Sequence, residues 1–295
     1  MMMNILDGKK SAQYFKDKIA EEVSAFTSKG HRKPHLAAIL VGNDGASETY
    51  VASKVKSCEQ IGFESTLIRF DVDVTEEVLL AEVRQLNARE DVDGVLVQLP
   101  LPKHINEEKV TLEILAEKDV DGFHPESLGR MMLGLPGYIP ATPKGIMMLL
   151  EHYNIDTQGK HAVIIGRSSI VGTPMSILLS RNSQPGNCTV TLTHSRTADL
   201  SYHTLQADII VAALGKPLFL KAEMVKEGAI VIDVGITRMK DDSALKGYRI
   251  CGDVDFETVA PKCSWITPVP GGVGAMTIAA LMQNTLEAYK RRLNS

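Results

Sequence analysis

The most informative stretch of the chain is HAVIIGRSSIVGTPMSILLS, at residues 161–180. Its apolar run 161–166 predicts a buried strand, Gly166 a tight turn, and the residues that open near Gly172 a helix. Glycine allows close approach of the backbone at such a turn, and a helix N-terminus offers N–H groups to a pyrophosphate. The stretch therefore indicates a dinucleotide-binding turn, although its spacing is G-x-S-x-x-x-G rather than G-x-G-x-x-G. A plain strand–helix turn is the alternative.

The second half of the chain alternates regularly between apolar runs and helical patterns. The predicted strands are HAVIIG (161–166), CTVTLT (188–193), DIIVAAL (208–214) and AIVIDVG (229–235). The helices predicted between them cover about 172–182, 198–206 and 221–227. A glycine-rich loop, PVPGGVGA (268–275), leads into a last amphipathic helix at about 276–292. This alternation predicts right-handed βαβ units and a parallel sheet.

The first half of the chain shows a similar, less regular alternation. Its predicted strands are LAAILVG (36–42), STLIRF (65–70) and GVLVQLP (94–100). The predicted helices cover 9–29, 47–62 and 76–88. Glycine and proline are dense in GLPGYIPATPKG (134–145), which marks a domain junction. The sequence thus predicts an α/β protein of two domains, in keeping with its 295 residues.

The amino-acid composition limits the classes of protein to which the chain can belong. Lys and Arg total 32 and Asp and Glu total 36, so the formal charge is −4, and aromatic residues make up 5% of the chain. A nucleic-acid binder would show a basic surplus or aromatic stacking positions, so that class is excluded. The cysteines lie far apart in the sequence and have no metal-ligand spacing, so no metal site is predicted. They are Cys58, Cys188, Cys251 and Cys263.

No segment of the sequence indicates targeting or a membrane. The first residues, MMMNILDGKK, contain no apolar stretch of signal-peptide length. No run approaches the roughly 20 apolar residues of a membrane-spanning helix. We therefore expect a cytoplasmic enzyme that does not associate with membranes.

The end of the strand at 188–193 bears on which dinucleotide binds. NAD-selective sites carry an acidic residue at the end of the second strand, where it bonds to the ribose 2′-hydroxyl. Here the strand ends in His194-Ser195-Arg196, without a carboxylate. Ser195 and Arg196, with Arg167 from the first turn, can donate to a 2′-phosphate instead, because arginine matches phosphate geometry. This pattern favours NADP over NAD; the alternative is that the arginines are solvated surface charges.

The helix at 47–62 carries a polar stripe beside an apolar one. Val51, Val55 and Cys58 form the apolar stripe. Tyr50 and Lys54 lie one turn apart on the neighbouring stripe, which also contains Ser47 and Ser57. A lysine near apolar surface loses solvation of its charged form, so its pKa falls toward a range useful for acid–base catalysis. The alternative is that Lys54 extends to solvent and Tyr50 only packs.

Two polar sites in the first half of the chain each have a functional and a structural interpretation. Gln98 falls at the carboxyl end of a buried strand, where α/β proteins place ligands, but a structural amide fits there equally well. Asp119 and Asp121 lie in the turn-like stretch KDVDGFHP, where aspartates also serve as turn or cap residues. Neither position establishes a function alone.

Five longer motifs resemble the bifunctional methylenetetrahydrofolate dehydrogenase/cyclohydrolase family and occur in that family's order. They are ETYVASKVKSCEQIGF (48–63), VQLPLP (97–102), EKDVDGFHP (117–125), GRSSIVGTP (166–174) and PGGVGAMT (270–277). The resemblance implies NADP-dependent oxidation of 5,10-methylenetetrahydrofolate to 5,10-methenyltetrahydrofolate, followed by hydrolysis to 10-formyltetrahydrofolate. It also implies a place in one-carbon metabolism, including purine biosynthesis.

The resemblance assigns roles residue by residue. Lys54 would be the main acid–base group of the hydrolysis, Gln98 would orient it, Tyr50 would stack on the folate, and Asp121 would bond to the pterin. The further residues expected to contact the substrate are Ser47, Leu99, Pro270, Gly271 and Gly272. The residues expected to contact the cofactor are Thr142, Gly166, Arg167, Ser168, Val171, Gly172, Ser195, Arg196, Gly215, Ile236 and Thr277.

The resemblance also implies an arrangement of the chain. A folate-binding domain would contain residues 1–140 and 275–295, and a Rossmann-like NADP domain residues 141–274, with the folate in the cleft between them. The family forms homodimers through its nucleotide-binding domains. Ala275 stands where proline is usual, which predicts a looser loop before the last helix, and Ala141 stands where cysteine is usual. The alternatives are a dehydrogenase that lacks the hydrolytic step and a non-catalytic dinucleotide sensor.

Overall fold

The computed structural model describes residues 3–241, 243 and 247–293, which form two compact α/β units. One unit, here called the three-stranded unit, contains Gln13–Ala141 and the residues from Ile278 onward. The other, called the six-stranded unit, contains the residues through Ala12 and Thr142–Thr277. The α/β fold in two domains predicted from the sequence is confirmed.

The three-stranded unit is built on a short parallel sheet with the order β3-β2-β4. Its strands are β2 (His35–Val41), β3 (Glu64–Phe70) and β4 (Gly94–Val97). Every residue of β2 and β4 is buried, because a parallel sheet is covered on both faces. The helices are α1 (Gly8–Thr27), which begins in the other unit, α2 (Gly45–Ile61), α3 (Glu76–Ala88), α4 (Glu107–Glu113) and α5 (Pro125–Leu133).

The six-stranded unit contains a parallel sheet with the order β1-β11-β8-β7-β5-β6. Its strands are β1 (Asn4–Ile5), β5 (His161–Ile165), β6 (Thr189–Thr193), β7 (Ile209–Ala212), β8 (Ile230–Asp233) and β11 (Trp265–Ile266). The helices are α6 (Ala141–His152), α7 (Gly172–Ser180), α8 (Leu200–Thr204), α9 (Phe256–Val259) and α10 (Val273–Leu293), which ends in the other unit. Two 3₁₀ turns (Ala222–Met224 and Ala260–Lys262) and an antiparallel hairpin of β9 (Thr237–Lys240) and β10 (Tyr248–Cys251) complete it.

The segment 134–145, predicted to be a domain junction from its glycine and proline content, is partly helical. Helix α6 begins at Ala141 and therefore includes Pro143 and Gly145. Proline is tolerated in a first helical turn, because the N–H group that it lacks has no acceptor there. A Cβ on Gly145 would lie 2.7 Å from the carbonyl carbon of Met276, so this glycine permits close packing rather than ending a helix.

The N-terminal residues differ from the expected arrangement. The sequence places all of residues 1–140 in one domain, whereas the residues through Ala12 lie in the six-stranded unit. There β1 pairs with β11, and the backbone N–H of Lys9 donates to the carbonyl of Gly271 at 3.0 Å. A strand of two residues has too little periodicity to be recognised from the sequence.

The glycine-rich loop before the last helix is shorter than predicted. Helix α10 begins at Val273, so Ala275 lies in its first turn. The expectation that an alanine here loosens a loop is wrong, because the position is helical and alanine is the best helix former. In addition, no helix of the described residues is long and apolar enough to cross a membrane.

Candidate active site

Helix α2 carries Lys54 and is held at both ends by local bonds. Asp44 caps its start, where Oδ2 accepts from the backbone N–H and the hydroxyl of Ser47, at 2.8 and 3.0 Å. Gly62 ends the helix with a left-handed φ of 81°, a conformation in which glycine has no steric cost. Ser47, expected to contact substrate, therefore uses its hydroxyl in the cap. The helix starts just after β2, so Lys54 lies on a rigid element near the carboxyl end of the sheet.

The Lys54 side chain is more buried than the sequence predicts. The residue is 3% exposed, and Ser47 and Ser57 of the same stripe are also buried, whereas Val55 of the apolar stripe is only half-buried. The stripe expected beside the core therefore belongs to the buried face of α2. An ammonium group in this position needs polar partners, because a buried unpaired charge is very unfavourable.

Gln98 provides the main partner of Lys54. The Lys54 Nζ donates to the Gln98 Oε1 at 3.1 Å, and the Gln98 Nε2 donates to the carbonyl of Leu99 at 2.7 Å. The second bond settles which way the amide points, so that its oxygen faces the lysine. The Nζ also lies 4.8 Å from the centre of the Tyr50 ring, a cation–π distance. Tyr50, Lys54 and Gln98 thus form one cluster, in which the contact of Gln98 with Lys54 is the one that the family resemblance implies.

Burial changes the protonation equilibrium of Lys54. It lowers the pKa of Lys54, because the apolar surroundings disfavour the charged form, while the negative charge of Asp121 opposes that shift. The result is an amine that loses its proton more readily than a surface lysine does. Such a group is better suited than a surface lysine to exchange protons with water or with a substrate nitrogen.

Asp121 lies on a turn that a second aspartate organises. Asp119 is 2% exposed, and its carboxylate accepts from the backbone N–H groups of Phe123 and His124 and from the Ser127 hydroxyl, at 3.1, 2.8 and 2.7 Å. Burial raises the pKa of Asp119 to about 6. Asp119 therefore holds the turn, and the half-buried Asp121 is left to influence Lys54.

Most of the predicted cofactor residues, and three of the predicted substrate residues, follow strands at one edge of the six-stranded sheet. Parallel strands bring their carboxyl ends to the same edge, and this is where open α/β sheets bind ligands. Five adjacent strands, in the order β11-β8-β7-β5-β6, are each followed there by residues singled out from the sequence. These are Pro270–Gly272 after β11, Ile236 after β8, Gly215 after β7, Gly166–Gly172 after β5, and Ser195 and Arg196 after β6.

The turn after β5 is packed too closely for side chains. Gly166 has a φ of 118°, and a Cβ there would overlap the carbonyl oxygen of Ala213. A Cβ on Gly172 would in turn overlap the carbonyl oxygen of Gly166. The Ser168 hydroxyl accepts from the N–H groups of Val171 and Gly172 at 3.2 and 3.4 Å. Two N–H groups at the start of α7 are therefore bonded within the loop itself. The sequence does not predict this bonding.

The cationic residues follow paired positions of neighbouring strands. Ile165 at the end of β5 pairs with Thr193 at the end of β6. Arg167 comes two residues after the first strand end and Arg196 three residues after the second, and both side chains are exposed. The exposed Ser195 lies beside them. The arrangement suits a phosphate at the edge of the sheet, as the sequence predicts for NADP.

The remaining predicted residues are placed as follows. The hydroxyls of Thr142 on α6 and Thr277 on α10 lie 3.1 Å apart. Ile236 is 59% exposed, which is unusual for so large an apolar side chain. Gly271 has a φ of 112°, where only glycine is unstrained. Within the described part of the chain no group of three His, Cys, Asp or Glu side chains is placed to hold a metal ion.

Comparison with known proteins agrees with this geometry. Residues 6–121 match the catalytic domain of tetrahydrofolate dehydrogenase/cyclohydrolase, and residues 140–293 match the NAD(P)-binding domain. The bifunctional protein FolD of Flavobacterium johnsoniae is 61% identical over 290 residues, or 98% of each chain. That of Phocaeicola vulgatus is 60% identical over 291 residues, or 99% of each chain.

Solved structures resemble the chain over its whole length. The bifunctional FolD dehydrogenase/cyclohydrolase of Campylobacter jejuni is 48% identical, with a TM-score of 0.92 and coverage of 99% of this chain and 100% of that one. The Trypanosoma brucei enzyme, solved with NADP and an inhibitor, is 36% identical, with a TM-score of 0.95 and complete coverage of both chains. The motifs, the two units and these relatives agree, and the chain belongs to the tetrahydrofolate dehydrogenase/cyclohydrolase family.

Proposed function

We propose that this chain oxidises 5,10-methylenetetrahydrofolate with NADP and then hydrolyses the methenyl product to 10-formyltetrahydrofolate. The observation that carries the proposal is Lys54, an almost completely buried lysine held by Gln98 at 3.1 Å. Lysines are rarely buried, and burial favours the neutral amine that a proton-transferring group needs. Family membership supplies the substrate class, and the cluster supplies the acid–base chemistry.

The hydrolytic step needs proton transfer at two atoms. Water attacks the methenyl carbon, which carries a delocalised positive charge between two nitrogens. Lys54 in its neutral form takes a proton from that water and returns a proton to the nitrogen whose bond to carbon breaks. The remaining proton of the hydroxyl group leaves to solvent as the formyl C=O forms, so the cation and water give the neutral formyl product and one proton. Gln98 orients the amine, and we assign Tyr50 to stacking on the folate and Asp121 to hydrogen bonding with the pterin.

The oxidation requires correct positioning of the substrate and the cofactor and does not require a base. Bound NADP would supply the hydride acceptor, and the protein would not have to remove a proton from the methylene carbon. The close-packed turn of Gly166 and Gly172 fits a pyrophosphate that must approach the backbone. We assign Arg167, Ser195 and Arg196 to the 2′-phosphate, which would make the enzyme prefer NADP to NAD.

The assembly and setting of the enzyme are also proposals. We infer a cytoplasmic homodimer formed through the six-stranded units, an arrangement supported by the family resemblance. Its product would serve one-carbon transfer, including purine biosynthesis. Light scattering during size-exclusion chromatography tests the dimer, because a species of the 32.2 kDa chain mass alone would contradict it.

A paired assay tests the main proposal. Purified protein receives methylenetetrahydrofolate with NADP or with NAD, and both reduction of the nicotinamide and the rise and fall of methenyltetrahydrofolate are followed. We expect reduction with NADP, weaker reduction with NAD, and enzyme-dependent loss of the methenyl compound. Reduction without hydrolysis would indicate a dehydrogenase alone, and binding of NADP without reduction would indicate a sensor.

A further inference from the structure

Two buried aspartates lie next to the loops that follow β7 and β8. Asp233 is the last residue of β8 and is 3% exposed, and Asp253 follows β10 and is 0% exposed. The family resemblance assigned no role to either residue. Both belong to the six-stranded unit, whose loops at this edge carry the proposed cofactor contacts.

Asp253 ties down the loop after β7. Its Oδ2 accepts from the backbone N–H of Leu214 at 2.6 Å and from that of Gly215 at 2.9 Å. Hydrogen bonds from backbone N–H groups to a carboxylate are among the stronger ones in proteins. Gly215, a proposed cofactor contact, is therefore held through its own N–H group.

Asp233 ties down the loop after β8 and holds Asp253 as well. Its Oδ1 accepts from the N–H groups of Gly235 and Asp253 at 2.9 and 2.8 Å, and its Oδ2 accepts from the N–H of Val254 at 3.0 Å. Gly235 directly precedes Ile236, another proposed cofactor contact. A continuous path of hydrogen bonds thus joins Gly215 to Gly235 through the two carboxylates.

Two glycines leave room for these carboxylates. A Cβ on Gly252 would overlap the Oδ2 of Asp233, and a Cβ on Gly235 would overlap both the Oδ1 and the backbone nitrogen of Asp253. The carboxylates therefore occupy the positions that side chains would otherwise fill. This packing leaves little freedom for either loop.

Burial of two carboxylates is unfavourable in itself, and the backbone N–H groups that they accept offset that cost. Burial raises the pKa of Asp233 to about 6 and also raises that of Asp253, because both carboxylates are removed from water. The Asp253 Oδ1 is buried without a hydrogen-bond partner among the described residues. Apolar residues at both positions would leave the five donated N–H groups unpaired, so the carboxylates fix the backbone segments that donate to them.

We propose that Asp253, supported by Asp233, is a positioning residue for the dehydrogenase reaction that holds the loops of Gly215 and Ile236 in the geometry that binds NADP. The inference rests on the proposed function, since it takes these loops as cofactor contacts. It predicts that disturbing Asp253 impairs the cofactor-dependent reaction and spares the hydrolysis, which uses no cofactor.

Two substitutions at position 253 separate positioning from other roles. In Asp253→Asn the amide oxygen can accept both N–H groups, and the amide nitrogen then takes the position of the partnerless Oδ1. In Asp253→Ala both bonds are lost. The dissociation constant of NADPH is measured by its fluorescence, the KM for NADP and kcat by nicotinamide reduction, and the cyclohydrolase rate with supplied methenyltetrahydrofolate.

For Asp253→Ala we expect the dissociation constant and the KM for NADP to rise about tenfold or more, with the cyclohydrolase rate within about twofold of wild type. For Asp253→Asn we expect both quantities within about threefold of wild type. An unchanged NADPH affinity in Asp253→Ala would overturn the inference, and so would a proportional loss of both activities. A wild-type protein that binds NADPH but lacks an activity would instead contradict the proposed function.

Asp233→Asn keeps the test decisive if Asp253→Ala does not fold. Both oxygens of Asp233 accept N–H groups, so an amide nitrogen must face a donor in either orientation. We therefore expect Asp233→Asn to weaken NADPH binding about tenfold while Asp253→Asn does not. Equal affinities in these two isosteric variants would refute the positioning role.

Discussion

Replacing Lys54 by methionine should remove the hydrolytic step. Methionine fills much of the space of the lysine stem but cannot carry a proton, and it leaves the Gln98 Oε1 without the donor that now lies at 3.1 Å. A positioned acid–base group contributes about 10²–10⁴-fold to a rate, so the cyclohydrolase kcat of Lys54→Met should fall by that factor. The oxidation needs no proton acceptor, so its kcat should fall much less.

The burial of Lys54 predicts two further properties of this variant. A lysine whose pKa is lowered in the folded protein destabilises the fold while it is charged, and this destabilisation disappears as the pH rises. At pH 7 the free energy of unfolding of Lys54→Met should therefore equal or exceed that of the wild-type protein. The wild-type cyclohydrolase rate should rise with pH as Lys54 loses its proton, and level off below the ordinary lysine pKa of 10.5.

The assay follows the loss of methenyltetrahydrofolate absorbance above the uncatalysed rate, together with urea unfolding of each variant. Lys54→Arg serves as the control for charge, because arginine keeps its positive charge but does not release a proton in proteins. Both variants should lose hydrolysis while retaining NADPH binding. Hydrolysis by Lys54→Met at near the wild-type rate would refute the assignment, and full activity of Lys54→Arg would show that charge rather than proton transfer matters.

Three further changes have defined outcomes. Arg167→Ala should raise the dissociation constant of NADPH about tenfold and leave that of NADH nearly unchanged in fluorescence titrations; equal losses would exclude the phosphate contact. Gly166→Ala should lower the thermal midpoint and the NADP affinity, since a Cβ would overlap the Ala213 carbonyl; an unaltered variant would contradict the close packing. Lys118→Met should lower the free energy of unfolding by about 2–4 kcal/mol in urea titrations, because the buried Nζ donates to three backbone carbonyls at the C-terminal end of α3.

The regular elements of the fold could be predicted where burial produces a local pattern. Strand β2 is buried along its whole length, and α3 covers the predicted residues 76–88. The two-residue strands β1 and β11 could not be predicted, because they exist only through pairing with distant strands. Helix α6 was obscured by its proline and glycine, whose usual meaning as helix breakers does not apply in a first turn or at a close contact.

The same distinction applies to the functional groups. Tyr50 and Lys54 are four residues apart on one helix, so their proximity follows from helical geometry alone. The burial of Lys54 does not, because it depends on how the neighbouring elements cover α2, and the sequence therefore underestimates it. Arg167 and Arg196 could be related because each follows a predicted strand, and the observed register places those strand ends side by side.

The roles of Asp233 and Asp253 could not be predicted from local sequence patterns. Asp233 falls inside the predicted strand 229–235, and Asp253 lies outside every predicted element, so local patterns assign neither residue a role. Their hydrogen-bond partners, however, lie after two different strands, at Leu214–Gly215 and at Gly235. Only the packed sheet brings these N–H groups to one carboxylate pair. The groups that we propose to react can thus be recognised from short motifs, whereas the groups that we propose to hold the binding loops depend on several strands at once.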